Sequence, residues 1–132
     1  MAALDTNVLL RYLLQDDLEQ TALARRLFRK CIGAGEALYV PVSVFLEIEW
    51  VLRANFGLSK ADVMDTMKFL LDAQELTFEL EGAVEVALLL YQENSVDFSD
   101  CLHVALAAQA GEQPLWSFDR KAAKLVGAKL LA

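Results

Sequence analysis

Two apolar rhythms alternate along the chain. Short continuous runs such as Ala2–Leu4, Leu38–Val40 and Leu115–Phe118 are separated by longer stretches in which apolar residues return every three or four positions. The first rhythm fits strands buried on both faces and the second fits amphipathic helices. Strands are expected at Ala2–Leu4, Leu38–Val40, Leu76–Leu80, Leu115–Phe118 and Ala128–Leu131. Helices are expected at Thr6–Leu14, Asp17–Ala34, Glu81–Glu93 and, more briefly, Asp119–Leu125. Three more run from Ser43 to about Asn55, from Ser59 to about Ala73 and from Asp97 to about Ala110.

Turn chemistry sets these limits. Asp16-Asp17 break and recap the first helical stretch, and Gly33 and Gly35 end the second. Pro41 closes a strand, Ser43 is the expected cap of the next helix, and Ser59 with Asp62 forms a capping-box pattern. Asp97 is the expected N-cap of the helix that Gly111 stops. Short apolar strands alternating with helices argue an α/β fold with a parallel sheet covered on both faces. With no repeat, low-complexity tract or linker, residues 1–132 read as a single domain.

Composition changes this picture in two ways. The chain is 56% hydrophobic with a mean hydropathy of +0.34, which predicts a surface patch covered by a partner. No apolar run approaches the roughly 20 residues of a membrane span, and Asp5 and Arg11 break up any signal-like N-terminus. A cytoplasmic protein with no membrane partner is expected. Cys31 and Cys101 lack metal-like spacing and read as reduced core cysteines. The net charge of −7 argues against a basic nucleic-acid-binding surface. It leaves room for a nuclease whose acidic metal site contributes several of those charges.

Four carboxylates carry the candidate chemistry. Asp5 follows Met1–Leu4, Glu47 interrupts Val44–Ile48, Asp100 opens Cys101–Ala108 and Asp119 follows Leu115–Phe118. Acids embedded in core-like segments are costly unless a cation meets them. With Val44 at zero on a helical wheel, Glu47 falls at about 300°, beside Val51 and Ala54, and Glu49 at about 140°, near Arg53. Glu47 is therefore expected on an apolar face, and Glu49 in a solvent-side i,i+4 pair with Arg53. Asp5 and Asp119 each follow a strand and open a helix, where ligands of open parallel sheets bind. Each could equally be a plain N-cap, and Asp100 could simply answer its helix dipole. Convergence of all four would demand a divalent cation, and oxygen-only ligands select Mg²⁺ or Mn²⁺ over Zn²⁺.

Other signals are weaker. His103, one turn after Asp100, could serve a metal or act as a base, but reads more simply as a hydrogen-bonded core histidine. No P-loop, G-x-G-x-x-G or G-x-S-x-G is present. Arg25, Arg26, Arg29 and Lys30 form the densest basic run, either a solvated helix face or a phosphate track. Arg11, Arg120, Lys121 and Lys124 are further cationic candidates.

Taken in order, the motifs resemble those of the PIN-domain ribonucleases, in particular the VapC-type toxins of bacterial toxin–antitoxin pairs. Leu4-Asp5-Thr6-Asn7-Val8-Leu9 is similar to the family's first-strand motif, and Val42–Leu52 to the helix with its glutamate, at Glu47. Asp97-Phe98-Ser99-Asp100-Cys101-Leu102-His103 resembles the third acidic motif and Ser117-Phe118-Asp119-Arg120-Lys121 the fourth. The resemblance covers essentially the whole chain. It implies a three-layer α/β/α sandwich with a short-stranded, mainly parallel central sheet. It also implies a metal site of Asp5, Glu47, Asp100 and Asp119, supported by Thr6, Asn7, Asp97 and Ser117.

The implied activity is Mg²⁺- or Mn²⁺-dependent endoribonuclease cleavage by a metal-activated water, with Arg11, Arg25, Arg29, Arg120 and Lys121 as candidate RNA contacts. The implied partners are an RNA substrate, a small cognate antitoxin and a second copy in a homodimer. Leu9, Leu10, Leu13, Leu14 and Leu23 supply apolar surface for a partner groove, about half of them being expected in the core. Two other classes stay open: a non-catalytic module whose acids only cap helices, and a receiver-like phosphoacceptor domain. The latter gives Glu47 no role.

Overall fold

In the computed structural model, which describes residues 2–132, the elements follow the sequence pattern closely. They are α1 (Thr6–Leu14), α2 (Leu18–Gly33), β1 (Leu38–Val40), α3 (Val42–Ala54), α4 (Lys60–Asp72), β2 (Leu76–Phe78), α5 (Glu81–Glu93), α6 (Phe98–Gln109), β3 (Leu115–Ser117), a 3₁₀ turn (Ala122–Lys124) and β4 (Ala128–Leu130). Met1, in the opening apolar run, lies outside the described residues. The chain divides into two units, Met1–Glu79 and Leu80–Ala132.

In the first unit β1 pairs in parallel with β2, Leu38 opposite Leu76 and Val40 opposite Phe78. Ala2–Leu4 makes a single parallel bridge, Ala3 to Tyr39, with Leu4 N–H donating to Tyr39 O (2.9 Å) and Tyr39 N–H to Ala2 O (2.8 Å). Asp5 caps α1, its Oδ1 accepting from Val8 N–H (3.0 Å). Gln15, in the left-handed region at φ 54°, ends that helix. Asp17 caps α2 by accepting from Gln20 N–H (2.9 Å). Thr21, Ala24, Phe28 and Cys31, spaced three and four apart, turn the buried face of α2 inward. Tyr12 of α1 stacks on Phe28 with centroids 3.7 Å apart.

The entry to α3 departs from expectation. Pro41, not Ser43, occupies the N-cap, and it has no side chain to cap with. Glu79 Oε1 takes over by accepting from Val42 N–H (2.8 Å). Ser59 caps α4 through Asp62 N–H (3.2 Å) as expected. Phe45 of α3 meets Phe78 of β2 edge-on at 5.6 Å, and Met64, Met67 and Leu70 bury one face of α4.

In the second unit α5 packs against α6, with Tyr91 and Phe98 in edge contact at 5.4 Å. Ala83, Val84, Ala87 and Leu88 face inward from α5, and Phe98, Cys101, Leu102 and Ala105 from α6. β3 pairs in parallel with β4, Trp116 opposite Lys129 and Ser117 opposite Leu130. The helix expected at Asp119–Leu125 shrinks to the 3₁₀ turn. Cys31 and Cys101 are both buried, in the core as expected. Among the described residues, no helix is long and apolar enough to cross a membrane.

Candidate metal centre and nucleic-acid interface

The four acids are not buried. Asp5, Glu47 and Asp119 are exposed and Asp100 is half-buried. They stand where elements begin or where a helix turns to solvent, so the burial cost inferred from their apolar neighbours does not apply to Asp5, Glu47 and Asp119 and remains only in part for Asp100.

The wheel misassigned α3 in particular. Phe45, Ile48 and Leu52 are fully buried and define its inward face. That face centres at about 80° on the wheel, which puts Glu49 at its edge and Glu47 on the far side. Glu49 is 2% exposed and receives Arg53 Nε at 2.8 Å. The i,i+4 pair exists, but its carboxylate lies inside. Ala54, expected beside Glu47 on the apolar face, is exposed, and so is Trp50.

Glu47 has a different anchor. The hydroxyl of Thr6, a residue only 6% exposed, donates to Glu47 Oε1. Thr6 follows Asp5 directly, so the first turn of α1 carries one acid and holds another. Asn7 is exposed and lines a groove with Asp5, Arg11 and Leu23.

The second unit holds the other pair. Asp97, Asp100, Phe118, Asp119, Arg120 and Lys121 line one open cleft of about 620 Å³. Asp119 Oδ1 accepts from the N–H groups of Lys121 (2.8 Å) and Ala122 (2.9 Å). Ser117 Oγ accepts from Asp119 N–H (3.0 Å), so this hydroxyl orients the backbone of the acid and not its carboxylate. Asp97 occupies the N-cap position of α6 but makes no side-chain cap bond. It bears instead on Asp100, whose pKa is raised by burial first, then by the charges of Asp119 and Asp97, with His103 opposing. His103 is exposed, not the core histidine expected.

The cations sort differently from expectation. Arg11 is held by Asp16 (3.2 Å) and Gln20 (2.7 Å). Arg25 bonds to Gln15 and, with Arg29, lines a groove containing Phe28, Ile32 and Phe69. Arg120 and Lys121 lie in the cleft with Asp100 and Asp119. Of the candidate groove leucines, Leu9 and Leu10 belong to the core, Leu13 and Leu14 are half-buried and Leu23 is exposed.

Among the described residues, no three His, Cys, Asp or Glu side chains form a ready cage for a metal ion. The donor set still suits a hard cation. Asp100 meets like charge from two other carboxylates, the bonds made by Asp5 and Asp119 fall on Oδ1 alone, and the donors are all oxygen. Mg²⁺ keeps several waters and is held by one or two carboxylates together with substrate phosphates, so it needs no protein cage.

Helices alternating with short parallel strands define an α/β chain. Residues 2–128 match the PIN domain family model, and the chain belongs to the PIN domain family. It is 29% identical over 125 residues to a VapC ribonuclease of Aquifex aeolicus (strain VF5), across 95% of this chain and 92% of that relative.

Proposed function

We propose that this protein is a Mg²⁺- or Mn²⁺-dependent endoribonuclease, the toxin of a toxin–antitoxin pair, acting as a single domain over residues 1–132. The observation that carries the reading is the grouping of Asp97, Asp100 and Asp119 around one open cleft, where burial first, and then the charges of Asp119 and Asp97, raise the pKa of Asp100. These acids repel one another in an open cleft, an arrangement that favours binding of a divalent cation. Family membership and the likeness to a VapC ribonuclease support the rest.

Asp5, Asp100 and Asp119 would hold the cation directly or through water, with Glu47 holding a second one or orienting the attacking water. When bound, the cation lowers the pKa of a water and neutralises charge on the phosphate oxygens during in-line displacement. Thr6 fixes the carboxylate of Glu47. Ser117 and the N–H groups of Lys121 and Ala122 fix Asp119. Attack by water leaves a 5′-phosphate and a 3′-hydroxyl. Capping by Asp5 and Asp119 does not compete with this role, because one oxygen of each caps and the other can face a ligand.

A small antitoxin and a second copy of the chain are the proposed protein partners, RNA is the substrate and the cytoplasm is the proposed location. The groove containing Asp5, Leu23 and Leu27 offers apolar surface to the antitoxin. The test is RNA cleavage by the Asp5→Asn, Asp100→Asn double variant in Mg²⁺. Loss of cleavage is expected, and wild-type rates in a folded variant would refute the assignment.

A further inference from the structure

One surface beside the cleft takes no part in the proposed metal chemistry. Trp116 is 54% exposed and Phe118 is 79% exposed, two residues apart at the end of β3. Lys129, opposite Trp116 on β4, places its ammonium 5.7 Å from the centroid of the Trp116 ring. Exposed rings of this size cost solvation and mark contact surfaces.

The chain segment that carries them is locally basic, whereas the cleft it borders is acidic at Asp97, Asp100 and Asp119. Residues 115–131 contain Arg120, Lys121, Lys124 and Lys129 and only one acid, Asp119, in a chain of net charge −7. All four cations are exposed, and they are all the lysines and arginines of residues 80–132. Flat rings interleaved with cations suit a strand of unpaired nucleotides, whose bases stack while their phosphates meet ammonium and guanidinium groups. They suit a second copy of the chain poorly, since a two-fold contact would set this positive surface against itself.

We infer that Trp116, Phe118 and Lys129 form a platform for single-stranded RNA that feeds the cleft at Asp119. This rests on the ribonuclease reading and names how its substrate is held. Phe118 precedes Asp119 in the chain and lines the same cleft as Asp100. A base stacked on Phe118 therefore brings its own phosphate towards the acids. Arg120 and Lys121, in that cleft, hold the neighbouring phosphates. Stacking needs only a ring face, so the platform favours unpaired RNA without selecting a sequence.

The chain has two tryptophans, Trp50 and Trp116, so Trp50→Phe leaves Trp116 as sole reporter. In an Asp5→Asn, Trp50→Phe background with Mg²⁺, titration with a short unstructured RNA should quench its emission. Phe118→Ala should weaken binding on the order of 5- to 150-fold, the range expected for one lost base stack, while Phe118→Tyr should bind normally. Lys129→Gln should lower the salt dependence by about 0.7 in the log–log slope. If wild-type protein cleaves RNA but Trp116 emission does not change and Phe118→Ala binds as tightly, the platform is wrong and the nuclease stands. Dissociation of a dimer by Trp116→Ala with RNA affinity intact would assign the face to a second copy and overturn the proposal. Wild-type protein that neither binds nor cleaves RNA would remove the ribonuclease reading and the platform with it.

Discussion

Thr6 donates its hydroxyl to Glu47 Oε1, joining the first turn of α1 to the middle of α3. The donor is buried and the acceptor exposed, so a core residue aims a solvent-facing carboxylate. Thr6→Val keeps the shape and removes the bond. It should lower kcat for RNA cleavage on the order of 10- to 100-fold with little change in KM, because the loss is one of orientation. Thr6→Ser should restore most of the rate. Single-turnover kinetics of the three proteins checks this.

Glu47 and Glu49, two residues apart, should respond in opposite ways. Glu49 is buried against Arg53, so Arg53→Ala should cost about 1–3 kcal/mol of stability by leaving a buried acceptor poorly satisfied, with activity retained at low temperature. Glu47→Ala should cost about 1 kcal/mol or less yet abolish cleavage. Urea denaturation alongside cleavage rates separates the two. An inactive but fully stable Arg53→Ala would reverse the assignment.

Asp100 gives a pH dependence of definite sign. Its pKa is raised in the folded protein. Between the ordinary carboxyl range and that raised value, the folded chain holds a proton that the unfolded chain has lost. Stability therefore falls as pH rises through this window, and ionised Asp100 disfavours the metal-free fold at neutral pH. Asp100→Asn should raise the Tm of metal-free protein at pH 7, and the gain should vanish towards pH 3. Mg²⁺ should raise the wild-type Tm by mass action and raise that of the variant much less.

Gly127 leads into β4 at φ +96°, where an added Cβ would come within 2.8 Å of Gln113 Nε2 and 3.4 Å of Val104 Cγ1. The glutamine can swing away, but the backbone strain remains. Gly127→Ala should cost about 1–2 kcal/mol, read as a lower midpoint in urea.

The sequence made the elements legible because local rules governed them. Thr6–Leu14, Leu38–Val40 and Glu81–Glu93 are found at their expected bounds, each set by a cap, a turn residue or an apolar period. The acids were legible by motif and not by burial. Asp5, Glu47 and Asp119 are exposed, so burial gives no reason to single them out and the motif resemblance alone does. The α3 wheel failed because Val44, Val51 and Ala54 suggested one face while the bulkier Phe45, Ile48 and Leu52 claimed the core. Capping of α3 by Glu79 could not be seen, since no local pattern links residues 37 positions apart. Trp116 and Phe118 looked like strand core for the same reason: a short apolar run does not reveal which rings the fold leaves outside.

The proposed hydrolysis of RNA by a metal-activated water at the four acids fixes the chemistry of the ends produced when purified protein meets single-stranded RNA, measured with Mg²⁺ and with a chelator. New 5′-monophosphate and 3′-hydroxyl ends that need Mg²⁺, and that Asp5→Asn with Asp100→Asn does not produce, are the expected result. Ends bearing 5′-hydroxyl and cyclic phosphate, formed equally well in chelator, would contradict it.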